Sequence, residues 1–320
     1  MIGALWTILG AGLVLYAVTG GADFGGGLWD LFARGPRAEA HKKLIAHALG
    51  PIWETNHIWV IFVIVLLFTV FPLGFAAIGI ALHVPLTIAL FGIVLRGAAF
   101  VFRAYGMSPP RIQALWGRVF AIASLVTPLA LGSCLAALSS GTIVPGVSDV
   151  GAGWATPYGF LVGLFALSLF AMLAAVYLAA EDEALAEDFR ARAIGAELFA
   201  GVVAFATLAV SSAAAPLFFA NLSRAWPIHI AAGALAFATI ALLFRRAYAW
   251  ARITAPAQVA CVVLGWGVAM DRHLVLPAIP IDAAGTRPEI YAALFQALIG
   301  GAVLLVPSLL VLFRVFKKAS

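Results

Sequence analysis

The sequence predicts an all-α polytopic membrane protein with about nine transmembrane helices, and three observations predict it. Of its 320 residues 64% are apolar and only 10% are charged, against roughly 25% in an ordinary soluble domain. A mean hydropathy of +1.08 leaves too few polar side chains to cover a water-soluble protein of this size, so lipid must solvate most of the exterior. That excludes a soluble enzyme. Nine apolar stretches are long enough to cross a hydrocarbon core of about 30 Å at about 1.5 Å per helical residue. Finally, the basic residues crowd into alternate connections between those stretches. The net charge of +5 and pI near 9.5 therefore mark topology and do not point to nucleic acid, because the cations sit in short clusters and not along one face.

The first stretch, Ile2 to Ala33, lacks the basic region and small-residue cleavage pattern of a signal peptide and reads as a retained first helix. The others run Gly50 to Pro72, Val84 to Phe102, Gly117 to Leu138, Pro157 to Ala180, Ile194 to Phe219, Pro227 to Phe244, Ile253 to Met270 and Tyr291 to Val315. Between the second and third, Pro72 to Pro85 is apolar throughout and reads as a turn or a helix extension. Connections are short, and the longest, Ser139 to Ala155, is Gly-rich with one charge. This leaves no room for an extramembrane domain, so residues 1–320 are expected to form one integral membrane domain.

Sorting the basic residues by connection tests the helix count independently of hydropathy. Odd-numbered connections and the C-terminal segment hold fifteen of the nineteen: Arg34, Arg37, Lys42 and Lys43; Arg103, Arg111 and Arg118; Arg190 and Arg192; Arg245, Arg246 and Arg252; Arg314, Lys317 and Lys318. Even-numbered connections hold Arg224, Arg272 and Arg287, and Arg96 lies within a span. An odd number of helices follows, with the N-terminus outside and the C-terminus in the cytoplasm.

A charge within a span costs at least about 2.5 to 3.5 kcal/mol on insertion scales, so each such residue is a site hypothesis. Asp23 precedes Arg34 by 11 residues, Glu54 follows Lys43 by 11, and Arg96 precedes Arg103 by 7. If helical, all three lie roughly 10 to 16 Å from the cytoplasmic boundary, on consecutive spans. Glu197, five residues after Arg192, adds a fourth on that side. Two readings compete: a structural triad in which Arg96 is the counter-ion to Asp23 and Glu54, and a proton conduit open to the cytoplasm with Glu54 foremost. His57, three residues after Glu54 on the same helical face, either relays a proton or donates to a backbone carbonyl. Asp23 sits among Gly20, Gly21, Gly25, Gly26 and Gly27, where close helix packing is the commoner meaning and a helix break the other.

Cys134 and Cys261 lie inside apolar segments with no CxxC or haem-attachment motif, which excludes a disulfide framework. The other histidines, His41, His47, His83, His229 and His273, scatter toward the two boundaries, so no residue of this chain is expected to ligate haem iron. No metal site is expected either.

Several stretches, in order along nearly the whole chain, resemble subunit II of cytochrome bd quinol oxidases. They are Ala22-Asp23-Phe24-Gly25, the box from Gly50 to Trp59 (GPIWETNHIW), Phe71-Pro72, Leu95-Arg96-Gly97-Ala98-Ala99-Phe100 with Arg103, Glu181-Asp182-Glu183 followed by Arg190-Ala191-Arg192-Ala193, Gly265-Trp266-Gly267, Ile281-Asp282-Ala283-Ala284, and Val306-Pro307-Ser308 ending in Phe316-Lys317. The resemblance implies two four-helix bundles plus one peripheral helix, packed against a homologous subunit I. That partner would hold haems b and d, oxidise quinol and reduce dioxygen, while subunit II supports it and contributes to proton access from the cytoplasm. It implies a bacterial or archaeal cytoplasmic membrane, with lipid and quinol as further partners, and admits a structural quinone and a small accessory membrane subunit. Asp23, Glu54 and Asn56 match membrane-embedded polar positions, and Trp53, Trp59, Arg96 and Arg103 match neighbouring motif positions. The chain departs from the family in having Gly20 where a second acid is common, Glu54 where Asp is common, and Val101 in place of an acid between the two arginines. The competing readings are a proton-coupled secondary transporter, which would need paired broken helices in two related halves, and a haem-bearing cytochrome in its own right.

Overall fold

The computed structural model describes residues 1–50, 53–106, 109–147, 151 and 153–317. Nearly all of them are helical. In order the elements are α1 (Ile2–Leu31), α2 (Ala38–Leu49), α3 (Trp53–Asn56), α4 (Ile58–Val70), α5 (Pro72–Ala81), α6 (His83–Tyr105), α7 (Pro110–Ser140), α8 (Pro157–Ala179), α9 (Ala186–Ala214), α10 (Pro216–Asn221), a 3-10 turn at Leu222–Arg224, α11 (Trp226–Phe244) and α12 (Tyr248–Ala269). A short hairpin, β1 (His273–Val275) and β2 (Ile279–Pro280), then leads through α13 (Ile281–Ala284) to α14 (Pro288–Lys317). Among the described residues nine helical stretches are long and apolar enough to cross a membrane.

Helices start early wherever the apolar run is preceded by arginine. The stretches expected from Gly117, Ile194 and Ile253 begin at Pro110, Ala186 and Tyr248. Hydropathy ends a span where charge begins, but the helix continues through the headgroup layer, where Arg190 pairs with Glu187 at 2.6 Å and Arg252 with Glu181 at 2.7 Å. The sixth stretch also ends early. Ala215 leaves helical geometry (φ −147°, ψ 60°) and Pro216 opens the separate α10, so Phe219 is not part of the span. A proline has no N–H to donate and is well tolerated at the first helical position. The same device splits Phe71 from Pro72: the apolar Pro72 to Pro85 stretch is neither turn nor extension but mostly its own ten-residue helix.

α8, α9, α11 and α12 adjoin in a ring, each packed on two of the others, while α6 packs on α7 and α4 reaches the rest chiefly through α1. α1 straddles both groups, touching α4 and α7 on one side and α8 and α12 on the other. Its glycines permit this, and the helix runs unbroken through them. A Cβ on Gly25 would run into the Phe170 carbonyl of α8, and one on Gly27 into the Ser124 hydroxyl of α7. Trp29 then donates to the Ala171 carbonyl at 2.8 Å, locking the same contact. Gly25→Val should therefore push α1 off α8 and cost on the order of 1–3 kcal/mol, seen as a lower melting temperature in detergent. Gly10→Val, where nothing stands within 4 Å, should leave it unchanged. Equal melting of the two variants would contradict this packing.

At the end opposite Arg34 and Lys43, the hairpin and α13 cover the helix ends with buried Leu274, Val275, Leu276, Ile279 and Ile281. Leu276 N donates to Leu138 O at 2.9 Å and Thr286 N to Val70 O at 2.8 Å, so this segment ties α7 to α4.

Candidate functional site

One face of α1 carries Tyr16, Asp23 and Asp30 at seven-residue spacing, about 10.5 Å apart along the helix. On α6, Arg96 and Arg103 repeat the same spacing. The two helices thus meet at two levels.

At the deeper level Asp23 and Arg96 are each 1% exposed. Asn56 Nδ2 donates to Asp23 Oδ2 at 3.0 Å, bringing α3 into the cluster. Arg96 is within reach of Asp23 but bonds its backbone: Nη2 donates to the Asp23 carbonyl at 3.0 Å. Its guanidinium is sandwiched by the rings of Phe24 and Phe120, 5.3 and 5.2 Å from the centroids, which is how aromatic faces hold a desolvated cation. His57 and Tyr16 complete the cluster, their rings edge to face at 6.0 Å. Both nitrogens of His57, the Tyr16 hydroxyl and Arg96 Nε are shut off from solvent without a hydrogen bond among the described residues. The Trp53 backbone approaches His57, but not in hydrogen-bonding geometry. The cluster therefore holds an acid, a base and a phenol with spare hydrogen-bonding capacity, a composition that a water chain would complete.

At the level nearer the basic end, Arg103 grips Asp30 with two parallel bonds, Nη1 to Oδ2 and Nη2 to Oδ1, both 2.9 Å. Asp30 is 6% exposed. Nothing about Asp30 alone singles it out in the sequence, but Asp23 and Arg96 stand 73 residues apart and so do Asp30 and Arg103, a repeat that signals the pairing.

Other expected residues fall elsewhere. Glu54 is not buried beside Arg96 but exposed on α3. α2 ends at Leu49, so the 11 residues from Lys43 are not one helix, yet Glu54 lies near the level of Asp23 and Arg96, since Asn56 bonds Asp23 and Trp53 packs on Gly97; it is the facing of Glu54 that differs, and Pro51 and Ile52 of the GPIWETNHIW box lie outside the described residues. Trp53 packs against Phe100 and His57, at 5.9 and 6.3 Å, and against Gly97 of α6, while Trp59 packs on Phe62. Glu197 is buried on α9, in the ring of α8, α9, α11 and α12, against Gln258 of α12. Nearer the basic end, His41 bonds Asp188 at 2.8 Å and Arg192 at 3.1 Å, which ties the first odd connection to the start of α9. His83 bonds the Ile80 carbonyl and His273 those of Met270 and Asp271. Among the described residues no three His, Cys, Asp or Glu converge as metal ligands would.

Comparison with known proteins gives a consistent result. The family model described as cytochrome bd terminal oxidase subunit II matches residues 1–316. Cytochrome bd-I ubiquinol oxidase subunit 2 of Escherichia coli K12 is 26% identical over 182 residues, 54% of this chain and 47% of the relative. Cytochrome bd ubiquinol oxidase subunit 2 of Bacillus subtilis is 29% identical over 138 residues, 43% of this chain and 40% of the relative. The matched stretches thus span about half or less of these curated relatives. Among solved structures, a chain of the bd oxidase from Geobacillus thermodenitrificans superposes with a TM-score of 0.85 at 24% identity, covering 100% of this chain and 99% of that one.

Proposed function

Because the chain belongs to the cytochrome bd terminal oxidase subunit II family, we propose that it is the non-haem subunit of a membrane-embedded quinol:oxygen oxidoreductase. In this reading it supports a haem-bearing subunit I and admits protons from the cytoplasm. Haems b and d, the quinol site and dioxygen reduction belong to that partner. The family match favours this role over the proton-coupled transporter.

The observation that carries the proton role is the deeper cluster of Tyr16, Asp23, Asn56, His57 and Arg96. Burying an ionisable group at this depth is costly, and here it comes with unfilled hydrogen bonds on its neighbours. Each such unfilled group in a native structure calls for a water, an ion or a functional role. Glu54 fits as the entry group. An ionisable side chain turned outward on a span avoids hydrocarbon, so its exposure supports a place against cytoplasmic water or subunit I. Arg103 with Asp30 serves as a fixed clamp between α1 and α6. The outward rows Ile61, Ile64 and Phe68 on α4 and Phe91, Val94 and Leu95 on α6 are exposed apolar surface for lipid or subunit I.

The subunit role is tested by co-purification. Tagged chain extracted from its native membranes should bring down a second polytopic chain with bound haem and quinol-dependent oxygen uptake; a haem-free preparation that still transports a solute would refute it. The basic asymmetry further predicts an outside N-terminus. Cysteines introduced at exposed Ser223 and Glu39 should be labelled from the outside and the cytoplasmic face respectively, and labelling of both from one side would overturn that orientation.

A further inference from the structure

α9 and α12 each pack on α8 and α11, so the bond between Glu197 and Gln258 crosses the ring from side to side. Both residues are more than nine-tenths buried, at 4% and 5% exposure. Gln258 Nε2 donates to Glu197 Oε1 at 2.6 Å. That leaves two oxygens, Glu197 Oε2 and Gln258 Oε1, shut off from solvent with no partner. While the carboxyl is ionised both can only accept, and neither can satisfy the other.

No cation is at hand to keep Glu197 ionised. None of the ion pairs among the described residues includes it. The ionisable groups on the surrounding helices are engaged elsewhere or carry no positive charge to offer. On α9 itself Arg192 bonds His41 and lies over the Trp29 and Phe189 rings, and although its Nη1 has no partner, five residues put it roughly 140° around the helix from Glu197; Arg190 pairs with Glu187, on α12 Arg252 pairs with Glu181, and Cys261 is a free thiol. From α1, Asp23 accepts from Asn56 and Asp30 is held by Arg103. α8 brings the hydroxyls of Tyr158 and Tyr177, and α11 brings His229, which faces Gly265, seven residues beyond Gln258. A buried carboxylate with no counter-charge takes up a proton in preference to staying ionised.

We propose that the Glu197–Gln258 pair is a buried binding site for one proton. Glu197 is a neutral carboxylic acid at physiological pH. Its Oε2–H donates to Gln258 Oε1 while Gln258 Nε2–H donates to Glu197 Oε1, closing an acid–amide ring in which both orphan oxygens find their partner. A metal cation is a poor alternative occupant, because hard cations take about six oxygens and this site offers two. The site lies between α9 and α12, apart from the Asp23 cluster, and does not rest on the proton role assigned there.

Infrared absorption of the assembled membrane complex tests this, since neutral and ionised carboxyl groups absorb at separate frequencies. The difference between the native protein and Glu197→Gln should lose one carboxylic-acid band and no carboxylate band. Loss of a carboxylate band instead would overturn the proposal, as would disappearance of the acid band when sodium replaces potassium in the buffer. Gln258→Leu keeps the acid and removes its acceptor, so the acid band should move to higher frequency. An unmoved band in that variant, which is informative even where Glu197→Gln does not accumulate, would refute the pairing.

Discussion

Asp30→Ala is expected to remove most of the folded protein from membranes, while the double variant Asp30→Asn with Arg103→Gln accumulates close to native levels. Deleting one member of a buried ion pair strands its partner, at a cost of about 3–5 kcal/mol. Arg103 retains 25% side-chain exposure, so the lower end applies, about 3 kcal/mol or roughly a hundredfold in the folded-to-unfolded ratio. Replacing both members by neutral amides removes the stranded charge and keeps a hydrogen bond across α1 and α6. Thermal unfolding followed by size-exclusion chromatography in detergent compares the native protein, Asp30→Ala and the double variant. If the double variant is as unstable as Asp30→Ala, the two-bond clamp is not what holds these helices together.

The second large effect concerns turnover. Asp23→Asn preserves shape and can still bond Asn56, but it cannot carry a proton, so quinol-dependent oxygen uptake should fall by about 10²-fold, the lower end of what positioned proton transfer contributes. Glu54→Gln should cost less than about tenfold, because an exposed entry group can be bypassed by water. This reverses the order that the sequence suggests, where Glu54 stands foremost. Full haem content in both preparations is the necessary control. Normal turnover in Asp23→Asn would make the cluster structural; a larger loss in Glu54→Gln than in Asp23→Asn would move the path to the outer face of α3.

These two expectations differ in how far they could be read from residues alone. Depth on α1 was legible because the helix is continuous from Ile2 to Leu31, so counting residues from Arg34 measures distance for Asp23. For Glu54 the count runs across a helix end at Leu49, which Gly50 and Pro51 mark in the sequence, and a depth does not say which way a side chain faces. The Asp30–Arg103 pair was present in the numbering as a repeat of the Asp23 to Arg96 interval, yet a search for isolated charges in mid-span does not look for intervals. Gln258 carries no charge, so neither hydropathy nor charge distinguishes it in the sequence. The nine spans were visible because hydropathy integrates over about 20 residues, whereas the breaks at Phe71 and Ala215 depend on single prolines inside apolar sequence. How α1 serves both groups of helices was half visible in its glycines; which neighbours fill the space beside them was not.

The hairpin segment has a consequence for biogenesis. A membrane chain is handed to the bilayer from its N-terminal end, so α4 and α7 insert long before residues 270–287 leave the ribosome. Until they do, the Val70 and Leu138 carbonyls, which end up bonded to Thr286 N and Leu276 N, have no such partner. The far ends of the early helices therefore stay loosely fastened through most of synthesis, and the last connection to be made is the one that fastens them. A chain truncated after Ala269 would keep eight of the nine spans found among the described residues yet remain open to proteases on that face.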